Sequence, residues 1–204
     1  MLGGQTFVAQ LRLFIAADIN YAQRTAVERL VSDLKKGVQF TKAQLAWVNP
    51  RGMHVTLKFL GGVDDSRVGL IIKTLAPAIE SVAPFPFSLG GVGVFPDDRQ
   101  PRVLWVGVKT GQKEFSDLAT AIERGLIPLG IEPERRSFNA HLTLARIKST
   151  RGAREMIDIV ESHRDCRLGL APVDTITLYE SRLAPEGATY RVLHRWSLQA
   201  SGSR

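Results

Sequence analysis

Two four-residue units carry the reactive side chains of this sequence: His54-Val55-Thr56-Leu57 and His141-Leu142-Thr143-Leu144. Only four histidines occur in the 204 residues, so half of them share one local setting. In an extended strand, successive side chains point to opposite faces. Each unit therefore places an imidazole beside a hydroxyl on one face. Val55, Leu57 and Phe59, or Leu142 and Leu144, turn the other way toward a core. An imidazole titrates near neutral pH, so one can take a proton while another gives one. Two of them flanking a phosphorus atom suit in-line displacement, one acting on the entering oxygen and the other on the departing oxygen. The threonine hydroxyls can donate to non-bridging phosphoryl oxygens. A five-membered cyclic phosphate opened in this way requires no metal.

The elements that must position these units form a repeat. Leu11 to Ala17 reads as a buried strand. Asn20 to Lys36 carries apolar residues at i, i+3, i+4 spacing and reads as an amphipathic helix stopped near Gly37. Trp47–Val48 is a short apolar piece before the Asn49–Pro50 turn signal. Met53 to Leu60 alternates as a strand that ends at Gly61–Gly62. Asp64 to Val82 reads as a helix, and Phe85 to Phe95 as a strand interrupted by glycine. The series then recurs: strand Arg102 to Lys109, helix Gln112 to Ile127, strand Ala140 to Ile147, helix Arg151 to Ser162, strand Val173 to Leu183. A final strand, Thr189 to Leu198, follows the Pro185–Glu186–Gly187 turn. The two histidines lie 87 residues apart, and Leu13 and Leu104 lie 91 apart. The spacing predicts a duplicated β-α-β-α-β unit, α+β in class, with a pseudo-twofold axis bringing the two polar faces together across one cleft. The expected domain is the whole chain, 1–204, with lobes near 11–96 and 102–183 and a closing strand near 189–198.

Composition sets the outer limits. Charged residues make up 23% and hydrophobic residues 44%, a globular mixture long enough to fill a core without disulfides. Cys166 is the sole cysteine, which excludes an internal disulfide framework. No apolar run approaches the length of a membrane span, and the start of the chain does not read as a signal peptide. A cytoplasmic, monomeric protein without a membrane or obligatory protein partner is expected. A net charge of +7 suits a polyanionic ligand. A zinc site would need three or four ligands at close spacing, and neither HxH nor HExxH occurs. Gly90-Gly91-Val92-Gly93 lacks the lysine of a P-loop.

The same residues resemble a known family. RLFIAADI, WVNPRGMHVTLKFLGGV, FSLGGVGVFP, PRVLWVGV, FNAHLTLARI and VDTITLYESRLAPEGATYRVLHRW together resemble the 2H phosphoesterase superfamily. Within it, they resemble the RNA 2′,3′-cyclic phosphodiesterases, also called 2′-5′ RNA ligase-like proteins. The resemblance implies a bilobal LigT-like fold with antiparallel sheets lining a central cleft. It also implies metal-independent opening of a 2′,3′-cyclic phosphate on an RNA or oligonucleotide end to a 2′-phosphomonoester. In that pattern His54 matches the proton donor and His141 the proton acceptor. Thr56 and Thr143 match phosphate-contacting positions, and no cofactor or metal is implied. Joining the cyclic end to a 5′-hydroxyl by the reverse chemistry is the alternative, and a non-catalytic RNA-binding module is a third reading. The chain departs from its relatives before the second motif, with Phe138-Asn139-Ala140 where Arg-Pro is often found.

Other residues read more blandly. Lys58 has the parity of His54 and is expected either at the cleft or as a solvated lysine. Arg146 has the opposite parity to His141 and reaches the cleft only if its strand bends. Tyr179 and Phe95 either stack a base or, as strand aromatics usually do, fill the core. Arg136 and His163 are expected at the surface, and His194 against a sheet face with Trp196.

Overall fold

The computed structural model describes residues 10–39, 43–149, 151–184 and 187–199; Pro185 and Glu186 of the expected last turn lie outside them. Among these residues nine strands and four helices follow one another: β1 (Gln10–Asp18), α1 (Tyr21–Val38), β2 (Gln44–Trp47), β3 (His54–Asp64), α2 (Val68–Glu80), β4 (Phe85–Phe95) and β5 (Val103–Thr110), then α3 (Gln112–Leu126), β6 (His141–Ser149), α4 (Ala153–Glu161), β7 (Arg167–Val173), β8 (Thr175–Ala184) and β9 (Gly187–Ser197). Helix α1 begins where the Asn20 side chain accepts the Gln23 backbone N–H at 2.8 Å. It continues through the expected stop at Gly37 to Val38, and Lys35 and Lys36 in its last turn offset the helix dipole. Its buried stripe holds Val27, Leu30, Val31 and Leu34 as the periodicity predicts, with Gln23 and Val38 added, while Ala22 is exposed.

All strands pair antiparallel in the order β7-β4-β5-β6-β3-β1-β8-β9, with β2 added to β6. The order reads the same from either side of the β6/β3 junction: β5 answers β1, and β4 answers β8. The duplication is therefore real, and the pseudo-twofold axis passes between the two motif strands. The halves also trade strands. β4 follows β3 in the chain yet pairs with β5, while β8 returns from the second repeat to pair with β1.

At the junction, β3 and β6 share one bridge, Val55 opposite Leu142. The helices cover one face of the sheet. There Val55, Leu57, Leu104, Val106, Leu142, Leu144, Ile176 and Leu178 form a continuous core with Phe115, Ile71 and Trp196. Trp196 is fully buried, and its indole N–H donates to the Ile72 carbonyl at 3.3 Å.

The structure corrects the alternation read from sequence at one recurring place. In β3 the register against β1 slips, so Ile15 faces Lys58 while Ala16 faces Thr56. Leu57 and Lys58 both turn inward, and the parity beyond them reverses. Lys58 is buried, whereas Phe59 is 63% exposed on the face of His54. Neither the cleft position nor the solvated end expected for Lys58 is realised, and Phe59 does not join the core. The same slip occurs in β6, where Leu104 faces Ala145 and Trp105 faces Thr143, so Arg146 swings to the face of His141. Several boundaries also differ from expectation, and the helix expected over Asp64–Val82 begins only at Val68, after a 3-10 turn, and ends at Glu80. β3 continues through Gly61–Gly62 to Asp64, held by pairing to β1 as far as Gln10. A strand unseen in the sequence, β7, lies on β4 before β8 begins.

Burying Lys58 requires partners. Its ammonium lies 2.9 Å from Glu123 Oε1 on α3 and donates to the Glu132 carbonyl at 2.8 Å. Glu123 Oε1 also accepts the Glu134 backbone N–H at 3.2 Å. This network ties the slip in β3 to the loop that leads into β6. Lys58→Met strands the Glu123 carboxylate, and an expected loss of about 3 kcal/mol would be measured by urea unfolding. Adding Glu123→Leu should recover most of that loss.

Candidate functional site

β3 and β6 each begin at their histidine, and the two strands overlap only over those first residues. One step either side of the Val55–Leu142 bridge, His54 stands opposite Thr143 and Thr56 opposite His141. The four side chains expected to act thus share one patch on the helix-free face, the histidines on one diagonal and the threonines on the other. Diagonal neighbours in an antiparallel pair lie about 7–8 Å apart, which brackets a single phosphoryl group. All four are half-buried, lining the face without being sealed from it.

Each imidazole is held in the same way. His54 Nδ1 lies 2.7 Å from the Gly52 carbonyl, and His141 Nδ1 lies 2.7 Å from the Asn139 carbonyl. A carbonyl only accepts, so Nδ1 carries hydrogen in both rings. Nε2 is then the nitrogen that exchanges a proton with a ligand. Neither strand reading nor charge count reveals this, because both contacts come from backbone two residues upstream. For Gly52 that backbone is a 3-10 turn, Pro50–Gly52, which the Asn49 side chain caps by accepting the Arg51 N–H at 3.0 Å.

The rings around the histidines differ. Phe14 stacks on His54 at 4.6 Å, with Tyr190 edge-on at 5.2 Å and Tyr179 at 6.0 Å. Phe95 meets His141 edge-on at 5.0 Å, with Trp105 at 6.4 Å. Tyr179 and Phe95 are therefore at the site and not in the core. Trp105 lies so close over β4 that a Cβ at Gly93 would run into its ring, which is why glycine occupies that position. Burial pushes both histidines below the ordinary imidazole value near 6.5; their backbone hydrogen bonds oppose this, and for His54 the Asp18 carboxylate does so as well.

Arg146 completes the patch. It is exposed on the His141 face and its charge reaches Tyr190, which lies against His54. Lys58, by contrast, is on the opposite face. Arg136 is exposed in the loop before β6. His163 closes the end of α4 by hydrogen bonding to the Ile159 carbonyl at 2.9 Å, and His194 packs edge-on to Trp196 at 4.9 Å. Among the described residues, no three His, Cys, Asp or Glu side chains come together as a metal-binding group.

The comparisons agree with this architecture. A family model described as LigT like Phosphoesterase matches twice, over residues 22–105 and 106–190. A protein of Archaeoglobus fulgidus named RNA 2′,3′-cyclic phosphodiesterase is 36% identical over 183 residues, covering 90% of this chain and 98% of its own. A protein of the same name from Methanothermobacter thermautotrophicus is 32% identical over 181 residues, covering 89% of this chain and 95% of its own. Among solved structures, TT0787 of Thermus thermophilus superposes with a TM-score of 0.76 at 26% identity, covering 94% of this chain and 100% of its own. Apo LigT of E. coli superposes with a TM-score of 0.71 at 23% identity, covering 93% and 98%.

The lowered imidazole values carry a stability consequence with a definite sign. The folded state binds protons at His54 and His141 less readily than the unfolded chain does, so stability rises with pH across their titration. Their contribution is complete above about pH 6.5 and is lost as pH falls through the lower folded values. The unfolding midpoint should therefore drop as pH falls from about 6.5, and His54→Gln with His141→Gln should flatten that part of a calorimetric pH series.

Proposed function

The chain belongs to the LigT like phosphoesterase family, and on that premise we propose that it hydrolyses the 2′,3′-cyclic phosphate of RNA or oligonucleotide ends to a 2′-phosphomonoester. The observation that carries the reading is the pair of imidazoles set diagonally about one bridge, each with Nδ1 tied to a backbone carbonyl and Nε2 left for the ligand.

In this mechanism neutral His141 takes a proton from water at Nε2 as the water oxygen attacks phosphorus. The bond from phosphorus to the 3′ oxygen breaks, and His54, protonated beforehand, gives its Nε2 proton to that leaving oxygen. The 2′ oxygen keeps the phosphoryl group. Turnover ends with His141 charged and His54 neutral, and exchange with solvent resets both. Thr56 and Thr143 donate to the non-bridging oxygens, where negative charge accumulates. Arg146 supplies the nearby cation and, being exposed, meets the RNA phosphate chain at the rim.

RNA is the natural polyanion for a protein with a formal charge of +7. No helix among the described residues is long and apolar enough to cross a membrane. A cytoplasmic monomer acting without a cofactor completes the proposal.

The experiment is a product assay on uridine 2′,3′-cyclic phosphate and on a short RNA with the same end, in the presence of a chelator. The expected product is the 2′-monophosphate, undiminished by chelation. His54→Ala and His141→Ala should each reduce kcat by about 10²–10⁴-fold. Near-wild-type turnover in either variant would overturn the assignment. Adding an RNA with a 5′-hydroxyl reads out joining against hydrolysis on the same histidines.

A further inference from the structure

The two halves of the site are related by the pseudo-twofold axis, yet the proposed chemistry needs its histidines in opposite protonation states. Burial disfavours the charged form of both rings, and the carbonyl contacts at Nδ1 are alike. Beyond burial, the halves also differ in what stands beside each imidazole.

The register identifies that difference. On β1, Asp18 lies directly opposite His54, and on β5 the residue opposite His141 is Gly107. One half therefore places a carboxylate against its imidazole where the other places no side chain. The carboxylate is held in position: Tyr179 Oη donates to Asp18 Oδ1 at 2.6 Å, and Thr177 Oγ1 donates to Oδ2 at 3.2 Å. Thr177 is itself fully buried, whereas Asp18 and its bond to Tyr179 lie at the exposed rim. At the position equivalent to Thr177, the second half has Gly93, covered by the Trp105 ring. Other groups do not supply the same asymmetry. Facing His54 are Tyr179 on β8, Tyr190 on β9, and Thr143 with His141 on β6, all without formal charge when neutral. The cations Arg146 and Arg195 act on Tyr190 and Tyr179, and their sign would disfavour a second positive charge.

We propose that Asp18, clamped by Tyr179 and Thr177, is the positioning residue that assigns the resting proton to His54 and so fixes which histidine acts as acid. This inference rests on the two-histidine reading above and adds to it the cause of the division of labour. Asp18 does not touch the reacting atoms. Its carboxylate acts through the imidazole, and because it is exposed at the rim, solvent screens part of its field.

The test follows each imidazole across pH by NMR in the intact protein, with His54→Gln and His141→Gln assigning the signals. Asp18→Asn keeps the shape and removes the charge. It is expected to lower the His54 midpoint by about half a pH unit while leaving His141 in place. The alkaline limb of kcat/KM for uridine 2′,3′-cyclic phosphate should move down with it, with the acid limb unmoved. Raising the salt concentration should shrink the difference between wild type and variant. Tyr179→Phe removes one of the two donors that hold the carboxylate, and it is expected to shift the His54 midpoint downward, by less than Asp18→Asn does. A His54 midpoint that stays put in both variants, or two midpoints that move together, would overturn the role given to Asp18. Absence of turnover in the wild type would instead count against the functional reading, since the NMR midpoints are measured without it.

Discussion

A single backbone bridge, Val55 to Leu142, governs this molecule. Two strands that belong to different repeats meet there at their first residues and then part, one continuing along β1 and the other along β5 and β2. Because antiparallel neighbours share faces, that one contact makes each repeat's imidazole adjacent to the other repeat's hydroxyl. The helices, packed on the far side, keep the opposite parity of both strands in hydrocarbon. A slip of one residue in either strand would bury a histidine and expose a leucine, so the apolar core is what enforces the register of the reactive face.

Much of this was legible in the residues themselves. The strand β4 has the limits its pattern implies, α1 begins at its expected cap and runs past Gly37 to Val38, and the matched HxTL units point to the one patch where the four side chains meet. What could not be read is equally physical. Alternation assumes an uninterrupted ladder, and both motif strands break it between the second apolar residue and the next. Each break follows its motif by the same interval, so Phe59 and Arg146 are equivalent positions that both appear on the wrong face by parity. The strand β7 has a weak signature, with Gly169, Pro172 and an exposed Leu170, and its position comes from pairing with β4. Glycines also misled: Gly61 and Gly62 look like a stop, yet the ladder to β1 carries the chain through them.

The duplication is a frame onto which unequal surroundings have been set. One histidine sits among Phe14, Tyr179 and Tyr190, the other beside Phe95 and Trp105. The position five residues past each is aromatic in one half and cationic in the other. A nucleotide has no twofold symmetry, and on the proposed reading it is the asymmetric flanks of a symmetric centre that tell its two ester oxygens apart. The backbone supplies the first through the bridge and the paired carbonyls, and side chains supply the second at little cost to the fold.

The trading of β4 and β8 between the halves bears on how the chain comes to be made. The outer edge of β1 finds its partner only in β8, which begins some 157 residues after β1 ends. At ribosomal speeds of about 5–20 residues per second, that edge waits roughly eight to thirty seconds during synthesis. An unpaired strand of this apolar character is a template for association with other nascent chains. β1 thus keeps an open edge until the last strands of the chain have emerged, and the sheet of the first repeat is completed only by the second.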